Sequence, residues 1–215
     1  MKPEPLLNYS NPSHILYGNK PPLLGGNLNP MPLKKFEKKE KIIWINAPVT
    51  YRNTLLRLSK DPDNYDKNLI CEFNDFAICE INATVGKGVF ATKPIKAGTL
   101  IGMYAGILEV STQGNYCSLY GFLCFAKHNK IFYYDAIQYR NMTGYVQHAP
   151  SRKEAPNAAT ANIRENLITQ RGIPMCTYIT TRDIEAYEQL LLDYGPYYPF
   201  EKPYQLFDQT GQVIK

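Results

Sequence analysis

The sequence predicts a mostly β domain with short helices, its strands grouped into small sheets. Three observations lead there. From residue 69 onward, short apolar runs alternate with turn residues, as in "LICEF", "FAICEIN", "YGFLCFA" and "KIFYYDA". Residues that favour strands are plentiful, and tyrosine alone accounts for 17 of the 215 residues. Hydrophobic residues make up 44% and charged residues 20%, enough apolar material for an ordinary core and too much for global disorder. A length of 215 residues suits one domain, or one domain with an added arm, and no internal repeat is visible.

Residues 1–33 hold Pro3, Pro5, Pro12, Pro21, Pro22, Pro30 and Pro32 together with Gly18, Gly25 and Gly26. Proline fixes φ and lacks an N–H, so this stretch is expected to be an extended arm rather than a helix or a central strand. Leu6, Leu7, Tyr9, Ile15, Leu16 and Tyr17 would lay it over the domain. Residues 34–79 read as a flanking region. Within it "KKFEKKEK" is a solvated face, "IIWINAP" a short buried strand, and "TYRNTLLRLSKDP" a helix that shares Tyr51, Leu55 and Leu58 on one face and stops near Pro62.

The domain proper spans residues 80–198. "AGT" at Ala97–Thr99 is a turn between strands, and residues 136–170 show short helical or irregular segments with few strand signals. "MCTYITTRDI" returns to strand, "EQLLLDY" is a further short apolar element, and the tail, 199–215, is expected to hold little regular structure.

Several function classes are disfavoured. The net charge of +5 eases the approach of an acidic partner without naming one. Basic and aromatic residues are not interleaved, so no direct nucleic-acid partner is expected. The five cysteines form no CxxC pair, which points to reduced, mostly buried thiols rather than a disulfide scaffold or a metal site. No stretch is apolar enough to span a bilayer and no signal-peptide pattern opens the chain, so a soluble nuclear or cytoplasmic protein without a membrane partner is expected.

"VGKGVFA" carries Gly86 and Gly88. Alone, this G-x-G reads as a turn or bulge between strands. A dinucleotide fingerprint needs a third glycine and a following helix, a P-loop needs GKS or GKT, and both are missing. Glycines here would serve a ligand by letting backbone come close.

The wider segment "GKGVFATKPIKAGTLIGMYAG" resembles the opening motif of SET-domain protein lysine methyltransferases, through Gly86, Gly88, Phe90, Ile95, Gly98, Ile101, Tyr104 and Gly106. "RDIEAYEQLLLDYG" resembles the closing motif, through Arg182, Asp183, Ile184, Glu188, Leu190, Asp193, Tyr194 and Gly195. Between them Asp135, Ala136, Asn141, His148, Pro156 and Asn157 follow the family's middle motif. That motif also departs from the family: Gln147 stands for the usual Asn, Ala149 for a Ser or Cys, Arg140 for a glycine and Gly144 for an arginine. No cysteine cluster follows Tyr194, so aromatic residues of the tail, Tyr197, Tyr198 and Phe200, would close the site.

The resemblance implies a fold of small curved sheets with a knot-like C-terminal crossing. It implies S-adenosyl-L-methionine as cofactor and a lysine in a protein or peptide, a histone among the candidates, as substrate. Tyr194 would be the central catalytic residue and Tyr104 would line the lysine channel. Lys87, Gly88, Val89, Phe90, Asn141, Gln147, His148 and Tyr194 would hold the cofactor, largely through backbone groups, and Leu192 would bear on how many methyl groups are added. The substrate would dock as an extended strand against residues 107–140. An activated methyl donor needs alignment more than a strong base, which suits a chain with three histidines and no evident triad. The alternative is a non-catalytic SET-like interaction module, favoured by Gln147 and Gly144.

Overall fold

The computed structural model describes residues 3–6, 9–50, 69, 73–111, 121–127, 130–149, 159–170, 173–195, 198, 206–208 and 212–214. In chain order the elements begin with β1 (Glu4–Pro5), β2 (His14–Gly18), β3 (Leu28–Pro32), helix α1 (Leu33–Glu40), β4 (Ile43–Trp44) and β5 (Val49–Thr50). Next come β6 (Phe76–Asn82), β7 (Gly86–Ala91), β8 (Leu100–Met103), β9 (Ile107–Ser111), β10 (Gly121–Lys127), β11 (Lys130–Asp135) and β12 (Tyr139–Arg140). A 3-10 turn at Met142–Tyr145 leads into β13 (Gln147–His148), followed by β14 (Ile163–Gln170), β15 (Ile173–Thr180), β16 (Leu191–Leu192), β17 (Leu206–Phe207) and β18 (Val213–Ile214). Three main sheets result, ordered β3-β2-β6-β7, β1-β5-β9-β11-β10 and β13-β16-β14-β15-β8, beside the small pairs β12-β4 and β17-β18. Among the described residues no helix is long and apolar enough to cross a membrane.

The N-terminal segment differs from an arm laid over a finished domain. Residues His14–Gly18 form an inner strand, paired with β3 on one side and parallel to β6 on the other. The prolines permit this because they avoid β2 itself. Pro30 and Pro32 lie in β3, an edge strand where a missing N–H costs no ladder bond, and Pro21 and Pro22 lie at the turn between. The "KKFEKKEK" run is likewise more than a solvated face. It forms most of α1, whose Leu33, Phe36 and Glu37 are buried. Phe36 is fully buried between Tyr17, Trp44 and Tyr145, with ring centroids 5.9, 6.0 and 5.8 Å away. This aromatic cluster ties the flanking region to the 3-10 turn of the middle motif. The helix expected at "TYRNTLLRLSKDP" lies outside the described residues.

The β6–β7 hairpin explains the first glycine of G-x-G. Asn82 Oδ1 accepts from the N–H groups of Thr84 and Val85 at 2.9 and 2.8 Å, which closes the turn. Gly86 leaves it at φ 81°, where any side chain would be strained. The register slips between Glu80 and Asn82, so the expected turn and bulge both occur.

The expectation for residues 136–170 fails at its end, because Ile163–Gln170 is a regular strand. Arg164, Glu165 and Asn166 carry little strand signal of their own. The strand forms because it pairs antiparallel with β15 over its whole length, from Ile163↔Thr180 to Gln170↔Ile173. Here pairing outweighs local preference.

The knot-like crossing takes a definite form. Residues 188–192 run between β7 on one side and residues 147–149 and 162–163 on the other. On the first side Leu190 N donates to Val89 O at 2.8 Å and Ala91 N to Glu188 O at 3.0 Å. On the second, β16 lies parallel to both β13 and β14, and Ala149 N donates to Leu192 O at 2.9 Å. Asn162 clips this segment in place. Its Nδ2 donates to Gln189 O at 2.8 Å and Glu188 Oε1 at 3.1 Å, while its Oδ1 accepts from Leu191 N at 2.9 Å. The buried Glu188 carboxylate also takes both terminal nitrogens of Arg182 and the Glu185 N–H.

Asn162→Ala strands the Leu191 N–H and the Gln189 carbonyl in the interior. It should cost about 2–4 kcal/mol, from roughly 1–3 kcal/mol for each buried group left unpaired. Denaturant unfolding at unchanged m-value checks this, and a loss below about 0.5 kcal/mol would contradict the clip. Burial pushes the Glu188 carboxyl up, but Arg182, the Glu185 N–H and Asn162 together hold it below the ordinary 4.5. Such a group stabilises the fold above its unfolded pKa, and that stability is lost as pH falls through the lower folded value. Melting temperatures should therefore drop below about pH 4.5, and Glu188→Gln should make the drop shallower. Equal slopes in the two proteins would contradict this.

Candidate functional site

Tyr194 is set by the turn that ends the crossing. Asp193 Oδ1 accepts from Gly195 N at 2.8 Å, and Gly195 takes φ 77°, so "DYG" is a tight turn with tyrosine at its centre. Two further bonds orient the residue. Its N–H donates to His148 Nδ1 at 3.1 Å, and its hydroxyl donates to the carbonyl of Val146. Backbone and side chain of Tyr194 are thus both tied to one short stretch, 146–148, on the neighbouring parallel strand. The side chain is partly buried, with ring centroids 5.3 Å from His148 and 4.6 Å from Tyr198.

Tyr104 lies across the same region, buried, with its ring 6.1 Å from Tyr178. Burial pushes the Tyr104 hydroxyl well above its usual value, and the nearby Tyr194 adds to the effect. Tyr178 is raised well above its usual value by burial, then by Cys176, Tyr104 and Tyr194. These phenols stay protonated at any physiological pH. They can wall a channel and donate hydrogen bonds, but they are poor bases. Tyr178 is the residue that sequence reasoning missed. Its signal is the strand phase of Cys176, Tyr178 and Thr180, all buried, and its place beside the opening motif follows only from the pairing Tyr178↔Gly102.

The G-x-G strand divides its residues between two tasks. Val89 and Phe90 are buried core side chains, Phe90 against Ala77 and Cys79. Gly88 packs closely, since a Cβ there would come within 2.7 Å of Gln189 Nε2 and 2.9 Å of Ile81 Cδ1 and would displace those side-chain ends. Lys87 is partly buried and held twice. Its carbonyl accepts from Gln147 Nε2 at 2.6 Å, and its ammonium pairs with Glu40 at 3.0 Å.

The middle motif's departures have structural counterparts. Gln147 uses its longer side chain to reach the Lys87 carbonyl, joining the middle motif to the opening one. Arg140 and Gly144 act as an exchange: the Arg140 side chain lies against Gly144, where an added Cβ would sit 3.3 Å from Arg140 Cβ. The guanidinium donates to the Ile137 carbonyl and stands 5.4 Å from the Tyr145 ring centroid. Asn141 is fully buried and caps the 3-10 turn. Its Oδ1 accepts from Thr143 N at 3.0 Å and its Nδ2 donates to Met103 O at 2.9 Å. His148 Nδ1 accepts the Tyr194 N–H.

The structure therefore brings Lys87, Gly88, Gln147, His148 and Tyr194 together, with Tyr104 reaching them through Tyr194. Val89, Phe90 and Asn141 have buried side chains. Pro156, Asn157, Tyr197 and Phe200 lie outside the described residues. The partly open surface around Lys87, Gln147, His148 and Tyr194 offers backbone polar groups, an imidazole and aromatic rings.

Comparison with known proteins bears on the fold and the family. No curated protein sequence matches the chain. Among solved structures, ATXR5 in complex with mono-methylated histone H3.1 superposes with a TM-score of 0.58 at 14% identity, covering 83% of this chain and 89% of that one. The ATXR5 SET domain with di-methylated histone H3 gives 0.56 at 15% identity, covering 84% and 90%. At such identities the likeness shows the fold. The family model for the SET domain matches residues 86–195, which is 110 of 215 residues and more than half of the chain. The chain belongs to the SET-domain family.

Proposed function

We propose that this protein transfers a methyl group from S-adenosyl-L-methionine to the side-chain amine of a lysine in a protein or peptide. The observation that carries the reading is the double tether of Tyr194, through its N–H to His148 and its hydroxyl to Val146, which joins the closing motif to the middle one, itself tied to the opening motif by Gln147. SET-family membership supports methyltransferase chemistry in general.

When bound, the cofactor supplies an activated methyl on a sulfonium. The chain's own residues must then present a neutral amine in line with it. A free lysine has a pKa of about 10.4, and burial lowers that of a cation. Tyr104 and Tyr178, both buried, supply the apolar walls for this. The Val146 carbonyl and the Tyr194 hydroxyl supply oxygen acceptors that orient the amine. Backbone groups of Lys87 and Gly88, with Gln147, His148 and Tyr194, would hold the cofactor.

A protein substrate adding as a strand would do so at β10. In its sheet β9 is flanked by β5 and β11, and β11 by β9 and β10, so among the described residues β10 is the edge strand of the predicted 107–140 surface. The ATXR5 structures contain histone H3, so a histone tail is the first substrate to test.

Two outcomes follow. Adding the cofactor should raise the melting temperature, because a ligand at 100 times its Kd stabilises a protein by about 2.7 kcal/mol. No shift and no calorimetric heat at about millimolar cofactor would contradict the proposal. Tyr194→Phe keeps the ring but removes the hydroxyl. It should retain the fold and most cofactor affinity, and lower turnover by at least ~10-fold, while Tyr198→Phe has a smaller effect. Initial rates at saturating cofactor decide this, and near-full turnover in Tyr194→Phe would remove the tyrosine from the chemistry.

A further inference from the structure

We propose that the Glu40–Lys87 ion pair is a positioning device through which helix α1 sets the cofactor affinity of the G-x-G strand. The inference rests on the methyltransferase reading above. It adds to the site a residue that lies 46 positions before Gly86 (86 − 40), outside the matched family region.

The starting point is the backbone of "GKG". Gly86 and Gly88 have no side chains, and Gly86 sits at positive φ, so this stretch has more conformational freedom than any other three residues of β7. Lys87 carries the only side chain in it. That side chain is mostly buried, 17% exposed, and ends on Glu40, itself 12% exposed, at 3.0 Å. The Lys87 carbonyl is fixed separately by Gln147. Gly86, Lys87 and Gly88 pair with Asn82, Glu80 and Cys79 of β6, with an irregular register between Glu80 and Asn82, and the tripeptide is anchored further at one main-chain and one side-chain point on two other elements.

Glu40 is a firm anchor. It is the last residue of α1, and the helix stops there because Lys41 takes φ 55° and returns its N–H to Glu37 O. The helix itself is pinned by fully buried Phe36 among three aromatic rings. The other charges facing the pair already have partners. Glu80, opposite Lys87 on β6, accepts from Lys39 at 2.7 Å and from the Tyr17 hydroxyl. Lys39 in turn bonds Tyr17 Oη at 2.6 Å. Lys87 also acts on Glu80 through space, but its ammonium makes its 3.0 Å ion pair with Glu40. A backbone that must meet a ligand in one conformation binds more tightly when that conformation is held beforehand.

The test is calorimetric titration of S-adenosylmethionine into wild type and Glu40→Gln, with the folded fraction taken from binding stoichiometry and melting temperature. Glu40→Gln should weaken cofactor binding about 3–10-fold, as expected from freeing a few backbone and side-chain rotations, while kcat at saturating cofactor stays within about 2-fold. Glu40→Asp keeps the charge but is one methylene shorter, and should fall between the two. Exchanging the partners, Glu40→Lys with Lys87→Glu, should restore most of the affinity. Unchanged affinity in Glu40→Gln with a lowered melting temperature would make the pair merely structural and overturn the proposal. Tighter binding would mean that Glu40 withholds Lys87 from the ligand, and would also overturn it. If wild type binds no cofactor, this proposal and the methyltransferase reading fall together. If wild type binds and the variants bind equally well, only this proposal falls.

Discussion

The pinning of residues 188–194 is the constraint on which the rest of this structure depends. The segment is too short to form a sheet by itself, and β16 has only two residues. It holds its place because hydrogen bonds reach it from opposite sides, from Val89 and Ala91 on β7 and from residues 147–149 and Asn162. Backbone groups inside a protein must be paired, and a segment crossing the core can meet that demand only if both neighbours are in register. The same register delivers Tyr194 to His148 and Val146. Fold and site are therefore one arrangement, and the network in which the partly exposed Arg182 meets buried Glu188 and Asn162 stabilises both.

Much of this was legible in the sequence because the relevant residues have little choice. Gly86, Gly98 and Gly195 adopt positive φ, which marks their turns in any context. Asp193 and Gly195 frame Tyr194 by purely local bonds. What stayed hidden depends on partners distant in sequence. β2 is an inner strand only because β6 comes to lie beside it, and the prolines around it obscure that. Arg164–Asn166 form a strand only because β15 pairs with them. Tyr178 reaches the site through its pairing with Gly102, and Gln147 looks like a weakened motif residue until its bond to the Lys87 carbonyl is seen. Val89 and Phe90 have buried side chains, and the Asn141 side chain caps the 3-10 turn.

The flanking region is part of the same unit. Phe36, Trp44 and Tyr145 join α1 and β4 to the middle motif, and Trp44 is held further by Asn46 at 2.7 Å and by Phe73 at 6.4 Å. A buried aromatic cluster of this size is stiff, since interiors are close-packed and transmit displacement. The opening motif consequently meets fixed neighbours on both sides: the flanking helix through Lys87 and the closing segment through Val89 and Ala91.

The most direct measurement is of the product. The purified chain is incubated with isotopically labelled S-adenosylmethionine and, separately, with histones, with a cell lysate and with nucleic acid, and the labelled material is mapped by mass spectrometry. Methyltransfer through the Tyr104–Tyr194 site requires label on lysine side chains of protein, absent when the cofactor is omitted. Label confined to nucleic acid or small molecules, or no label on any protein while the chain binds the cofactor, would contradict it.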